Sequence, residues 1–191
     1  MISSSADHQQ SEETYNAGKF DLPNPAGKAG GACTSAFLQA MYENGDGSSW
    51  VETLQQMRGV LKGMGYDQIP TLSSSRLIDV NKELTIVPEG SGRRRALLIG
   101  INYVGQEGAL TACHNDVNNL REFLTEVYGF KESEMLILMD DGKHHPPTRR
   151  NIEDGMIRLA RYSQPGDVAF VSFSGHGGNT EDLDGDESDG W

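Results

Sequence analysis

A histidine held between glycines closes an apolar, β-branched run, Asp167-Val-Ala-Phe-Val-Ser-Phe-Ser-Gly-His-Gly-Gly. An imidazole is the side chain best suited to move a proton near neutral pH. In open α/β sheets, groups that do chemistry stand just past the carboxyl ends of parallel strands. His176 is therefore the candidate general base. Gly175, Gly177 and Gly178 leave the backbone around it bare of Cβ atoms, so it can come close to a ligand.

A base needs a nucleophile. Cys113, directly before His114-Asn115-Asp116 at the expected start of a helix, is the cysteine in a comparable position, and a helix N-terminus favours the thiolate. Taken alone, Cys113 with His176 reads as a Cys/His dyad; the alternative has Cys113 lining a pocket or packing as a small apolar group. Cys33, inside an apolar helical pattern, reads as buried and inert. Asp116 either caps that helix, a part open to Asn115 as well, or stands at the same rim as His176 and pairs with an arginine or lysine side chain of a substrate. Asp182, Asp184, Asp186 and Asp189 offer hard oxygens at two- and three-residue steps, as calcium prefers, although Glu187 stands where an EF-hand loop has glycine. His8, His114, His144 and His145 lie in polar surroundings and read as exposed.

The elements that must position these groups follow from periodicity. After a short strand-like start, residues 6–31 are polar and rich in Gly and Pro, a long loop. Phe37, Leu38 and Met41 mark a helix over 33–42, stopped by Asn44-Gly-Asp-Gly. Ser48-Ser49 can cap a second helix whose Val51, Leu54, Met57, Val60, Leu61 and Met64 form one face, expected to pack on a sheet. Residues 68–76 read as an edge strand, because Pro70 cannot donate to a central ladder. Residues 77–95 lose periodicity and read as a linker, with Arg93–Arg95 exposed and open to proteolysis. A βαβ alternation follows. Strands at 96–102 and 135–139 and a third that delivers His176 are separated by a helix over 116–128 (Val117, Leu120, Phe123, Leu124 and Val127 inward) and one capped by Thr148 (Ile152, Met156, Leu159 and Ala160 inward), which implies a parallel sheet.

Composition narrows the function classes. A chain of 191 residues, 36% hydrophobic, can bury one sizeable core. Its net charge of −12, half of it from the six acids in 181–191, speaks against a nucleic-acid partner and for cationic substrates or hard cations. Two cysteines in unlike contexts suit a reducing compartment. No apolar run is long enough to cross a bilayer and the start is not signal-like, so the expected setting is cytoplasmic, without a membrane partner, and the expected state a monomer.

The motifs Ala96-Leu-Leu-Ile-Gly-Ile-Asn-Tyr-Val-Gly, Leu110-Thr-Ala-Cys-His-Asn-Asp-Val-Asn-Asn-Leu, Phe170-Val-Ser-Phe-Ser-Gly-His-Gly-Gly and Asp184-Gly-Asp-Glu-Ser-Asp-Gly resemble the large-subunit region of the metacaspases, caspase-fold cysteine endopeptidases that cleave after arginine or lysine. Met1–Tyr15, Gly31-Ala-Cys-Thr-Ser-Ala-Phe-Leu, Trp50-Val-Glu-Thr-Leu-Gln-Gln-Met-Arg and Thr71-Leu-Ser-Ser-Ser-Arg are similar to that family's small-subunit region. The small-subunit region comes first, which resembles the type III arrangement. The resemblance implies residues 1–80 as small-subunit-like, 81–94 as linker and 95–191 as large-subunit-like, together one caspase-like α/β domain of three layers with a mainly parallel central sheet flanked by helices. It also implies His176 as the catalytic histidine with the Gly177 N–H among the oxyanion donors. Cys113, Asp116 and Ser174 would line the basic specificity pocket, and Asp184, Asp186 and Asp189 would lie near a calcium ligand. The family's nucleophilic cysteine lies in an Asp-x-Cys-His-Ser-Gly-like motif at the end of the next strand, past Trp191, so the chain reads as a fragment. The non-enzyme reading is a caspase-fold regulatory or binding module without that cysteine.

Overall fold

The structure, a computed structural model, describes residues 1–178 except Asp7, His8, Gln10, Asn24, Lys28 and the side chain of Asp46. The expectations for His8 and for Asp182, Asp184, Asp186 and Asp189 therefore lie outside the described residues. In chain order the elements are β1 (Ile2–Ser3), β2 (Glu13–Thr14), β3 (Gly30–Gly31), α1 (Ala32–Asn44), α2 (Trp50–Gly63), β4 (Thr71–Leu72), β5 (Arg94–Gly100), α3 (Cys113–Glu126), β6 (Met135–Met139), α4 (Arg149–Tyr162) and β7 (Val168–Ser174).

β5 is the middle of a three-stranded parallel sheet ordered β6, β5, β7, with Gly100 opposite Met139 on one side and Ser174 on the other. Its unbroken apolar run is that of a strand covered on both faces. Ala96 and Leu98 share a core with Val117, Leu120, Phe123 and Leu124 of α3, while Leu97, Ile99 and Leu138 pack with Ile152 and Leu159 of α4. The two helices therefore cover opposite faces, as the βαβ pattern requires. Each fully buried Leu or Phe in these layers stabilises by roughly 1.5–3 kcal/mol relative to exposure.

The N-terminal region adds to the α3 side. α1 lies between two cores: Ala32, Ala36 and Ala40 meet Leu54, Met57 and Leu61 of α2, while Leu38 and Met41 join Leu98 and Phe123. α2 starts with a capping box in which the Ser49 hydroxyl accepts from Glu52 N–H and the Glu52 carboxylate accepts from Ser49 N–H. Its apolar face packs on α1 rather than on the three-stranded sheet, in a core that Ile2 of β1 and Leu72 of β4 also join. The edge strand expected over 68–76 shortens to the two residues of β4, antiparallel to β1; the Pro70 carbonyl instead accepts from the Arg58 guanidinium.

Three further expectations are corrected. Met156 is 43% exposed, Ala160 is also exposed, and the covered face of α4 runs through Gly155. A Cβ on Gly155 would meet Leu136 and Leu97 side chains at 3.1 and 3.2 Å, so the bare Cα decides which side approaches the strands. Val127 is 47% exposed, lying past the last turn of α3. Arg93–Arg95 is not an open proteolytic site. Arg95 pairs with Asp167 at 2.7 Å and Glu134 at 3.2 Å, Arg94 donates to the Tyr128 carbonyl, and the backbone of Arg93 is bonded to Asp167 and Val168. No helix among the described residues is long and apolar enough to cross a membrane.

Candidate active site

Strand order reverses at β5: the chain passes out to β6 and returns beyond β5 to β7. Crevices form at the carboxyl edge of such switch points, and His176 stands there, two residues past β7. Its ring is exposed and stacks on Tyr103, with centroids 4.7 Å apart and planes tilted by 36°. Its backbone N–H donates to the Tyr103 hydroxyl oxygen at 3.1 Å. Nε2 lies 2.7 Å from the Gly108 carbonyl oxygen. A carbonyl only accepts, so Nε2 carries the hydrogen, and in the neutral ring Nδ1 is left as the open acceptor.

The loop that carries Tyr103 is held in an unusual shape. Tyr103 has φ +53°, the one left-handed non-glycine residue among those described, a conformation that costs about 1–3 kcal/mol and needs outside support. Asp140, just past β6, supplies it by accepting from Asn102 N–H at 2.8 Å and Val104 N–H at 3.1 Å while contacting His114 Nε2 at 2.6 Å. Burial alone would raise the Asp140 carboxyl, but these bonds from Asn102, His114 and Val104 hold it below its ordinary value. His114 is thus a partner of that loop's anchor rather than an exposed residue, and His144 likewise pairs with Asp141 at 2.8 Å.

Asp116 is 3% exposed and does not cap α3. One carboxylate oxygen accepts from Gly31 N–H at 2.8 Å, and the other accepts from the Thr34 hydroxyl at 3.3 Å and the Ser174 hydroxyl at 3.1 Å. A Cβ at Gly31 would lie 2.5 Å from that second oxygen, so only glycine lets β3 approach. Every donor is neutral, and no cation pairs with Asp116 among the described residues. Burial pushes its carboxyl up to about 6, against the lowering bonds from Gly31, Ser174 and Thr34. At the helix start Asn102 Oδ1 instead accepts from Cys113 N–H at 3.0 Å and Glu13 of β2 accepts from Thr111 and Ala112 N–H just before it at 3.1 and 2.9 Å, while Asn115 donates to the Ala29 carbonyl at 2.8 Å.

Cys113 opens α3 but is 5% exposed, and burial, then the charges of Asp116 and Glu13, push its thiol up to about 12. The thiolate expected from its helix position is thus overruled by desolvation and by two nearby carboxylates. Burial and Asp116 push the half-buried Cys33 thiol to about 12 as well. A Cβ at Gly100 would lie 2.7 Å from the Cys113 carbonyl oxygen, which is why β5 ends in glycine where α3 begins. No atom of a described residue other than the chain neighbours lies within 4 Å of a Cβ placed on Gly177 or Gly178. No group of three or more His, Cys, Asp or Glu side chains among the described residues could hold a metal ion.

The structure thus brings Ser174 and Asp116 into contact, with Cys113 at the start of the same helix and His176 two residues beyond Ser174. Sequence reasoning missed Tyr103, Gly108, Glu13, Gly31 and Thr34. A signal existed only for the glycines; nothing local distinguishes Glu13 from Glu12 beside it.

Comparison with known proteins adds a separate line. Residues 94–191 match the family described as "Metacaspase, peptidase C14 domain". The whole chain is 46% identical over 198 residues to "Metacaspase III c" of Phaeodactylum tricornutum, covering 59% of that protein. It is 54% identical over 103 residues to "Metacaspase-1B" of Aspergillus fumigatus and 53% identical over 103 residues to "Metacaspase-1" of Pyricularia oryzae, in each case 53% of this chain and about a quarter of the relative.

Proposed function

The chain belongs to the metacaspase family, and from that premise we propose that the full-length protein is a cysteine endopeptidase that cuts protein or peptide chains after arginine or lysine, with His176 as its proton carrier. The observation that carries the reading is Asp116: a buried carboxylate held only by neutral donors, one of them Ser174, two residues before His176. Burying an acid without a cation is costly, and a substrate guanidinium or ammonium entering between Thr34 and Ser174 would supply the missing charge. Cys113 would form part of that pocket's wall.

The chemistry follows from the ring's tautomer. Nδ1 of His176 takes the proton of a cysteine thiol, and the thiolate attacks the peptide carbonyl carbon. Positive charge on the ring is shared through Nε2–H with the Gly108 carbonyl, and the N–H of Gly177 donates to the developing oxyanion. The ring then protonates the leaving amine, and water releases the acyl group. Both cysteines of residues 1–191 are poor thiolates, so the nucleophile is assigned to a cysteine outside this stretch. The small-subunit-first order, read as type III-like, is supported by a whole-chain match to the diatom relative where the fungal relatives align over about half. We also keep calcium activation through Asp184, Asp186 and Asp189, a reducing cytoplasmic setting and a monomeric state as parts of this reading.

The test uses the full-length protein and fluorogenic peptides ending in Arg, Lys or Asp. Hydrolysis after Arg and Lys alone is expected, with His176→Ala lowering it by roughly 10²–10⁴-fold. No hydrolysis of any peptide would leave the regulatory-module reading standing. Cys113→Ser should keep labelling by a basic-peptide chloromethylketone; lost labelling would restore the Cys113/His176 dyad. Calcium calorimetry on wild type and Asp186→Ala tests the metal, and equal heats would remove it.

A further inference from the structure

We propose that the groove between the carboxyl-terminal half of α4 and the amino ends of β5 and β6 is a binding site for a small phosphate monoester with an apolar body. The groove is a cavity of about 250 Å³. Cavities that enclose drug-sized ligands are roughly 300–1,000 Å³, so this one has room for a single ring and its anionic head. It lies at the amino edge of the sheet, whereas His176 stands at the carboxyl edge. The seven residues of β5, roughly 20 Å at ~3.3 Å per residue, separate the two. The groove is therefore distinct from the peptidase crevice, and the inference does not rest on the cleavage specificity proposed above.

Charge selects the head. Arg93, Arg95 and Arg158 line the groove against one carboxylate, Glu134, three charges against one and so a surplus of two, in a chain whose net charge is −12. Arg95 is already engaged, with Glu134 at 3.2 Å and with Asp167 at 2.7 Å. Arg93 reaches Glu134 only at 3.7 Å, too long for a hydrogen bond, and its side chain is 70% exposed. Arg158 makes no ion pair among the described residues. Asp154, one turn before it, pairs with Arg150 at 3.8 Å, and Arg161 and Tyr162 follow one turn later. Two guanidiniums on one cavity are thus left without a firm partner. A phosphate monoester carries close to two negative charges at neutral pH, and its oxygens can meet two guanidinium forks at once. A carboxylate would balance half of the surplus.

The rest of the lining selects the body. Leu97, Leu136 and Leu159 supply apolar walls, and Tyr162, 63% exposed on the last turn of α4, adds an aromatic ring beside them. Leu97 and Leu159 belong to the core that joins α4 to the sheet, with Leu136 packed against it. Those walls are therefore set by the fold before any ligand arrives. Apolar walls with a few convergent charged groups are the usual composition of a small-molecule site.

The experiment is titration calorimetry of the full-length protein with phenyl phosphate, inorganic phosphate and phenol, on wild type, Arg93→Gln, Arg158→Gln and the double variant. Wild type should bind phenyl phosphate with a Kd at least tenfold below that for inorganic phosphate, and phenol should give no heat of binding. Each single variant should weaken phenyl phosphate at least tenfold and the double variant should abolish its binding. All four proteins should melt together by circular dichroism, because both arginines are exposed and glutamine keeps part of their stems. Equal affinities for phenyl phosphate and inorganic phosphate would make the groove a general anion patch and overturn the proposal. Phenyl phosphate binding that survives in the double variant, or that fails in wild type, would overturn it as well. The peptidase reading is tested separately by the reporter peptides, so either proposal can fail without the other.

Discussion

The Nε2 nitrogen of His176 stands 2.7 Å from the carbonyl oxygen of Gly108, a residue 68 positions earlier in the chain. That one contact settles which ring nitrogen is open, and Tyr103 settles where the ring lies. The phenol takes the backbone N–H of His176 and its ring stacks on the imidazole, from a left-handed backbone conformation.

Tyr103 is therefore a positioning residue. Tyr103→Phe keeps the stack and removes the acceptor, and it should lower kcat about tenfold, which is roughly 1.4 kcal/mol, with KM little changed. Tyr103→Ala, which removes both, should cost about a hundredfold. Steady-state kinetics of the full-length variants decide it; a defect confined to KM would assign Tyr103 to substrate binding instead.

Asp116 has a pH signature of its own. An aspartate in the unfolded chain titrates near 3.9, whereas burial raises this one to about 6 in the fold. The fold thus favours the protonated form, so the group's stabilising contribution is complete below about pH 4 and is lost as pH rises through about 6. Asp116→Asn should flatten that decline in urea midpoints across the same window, and should reduce cleavage after arginine by about a hundredfold or more. Parallel midpoint curves for the two proteins would refute the assignment.

Asp167 should act in the opposite sense. Bonds from Gln164 N–H, the Arg95 guanidinium and Arg93 N–H hold its carboxyl down to about 2. Its contribution is present above the unfolded value near 3.9 and disappears as pH falls through about 2. Asp167→Asn should therefore weaken the protein at neutral pH and make its acid unfolding less steep, seen by circular dichroism on acid titration. An unchanged acid limb would show that the ion pair with Arg95 contributes nothing.

The two thiols offer a test that needs no activity. With both pushed to about 12 and Cys113 buried, iodoacetamide at neutral pH should alkylate the folded protein at least about a hundredfold more slowly than the urea-unfolded chain. Mass spectrometry of the modified peptides would show it, and rapid native labelling of Cys113 would reinstate it as a reactive thiol.

What could be read from residues alone was what neighbours in sequence enforce. Ser49 with Glu52, Thr148 before α4, and the apolar runs of β5 and β6 specify their elements through contacts one to four residues away, and the strand–helix alternation then leaves a parallel sheet with His176 at its carboxyl edge. The faces of helices were less secure: Met156 and Ala160 matched the helical period as well as Gly155 did, and only the fit of a bare Cα against Leu97 and Leu136 chose between them. The functional geometry belonged to the tertiary structure. Gly108 reaches His176 across 68 residues, Gly31 reaches Asp116 across 85, and Glu13 reaches Ala112 across 99. Residue types and spacing by themselves determined which groups could do chemistry; folding decided which nitrogen is open, which acid is buried and which thiol is silenced, because hydrogen bonding and desolvation depend on distance in space, where local periodicity carries no information.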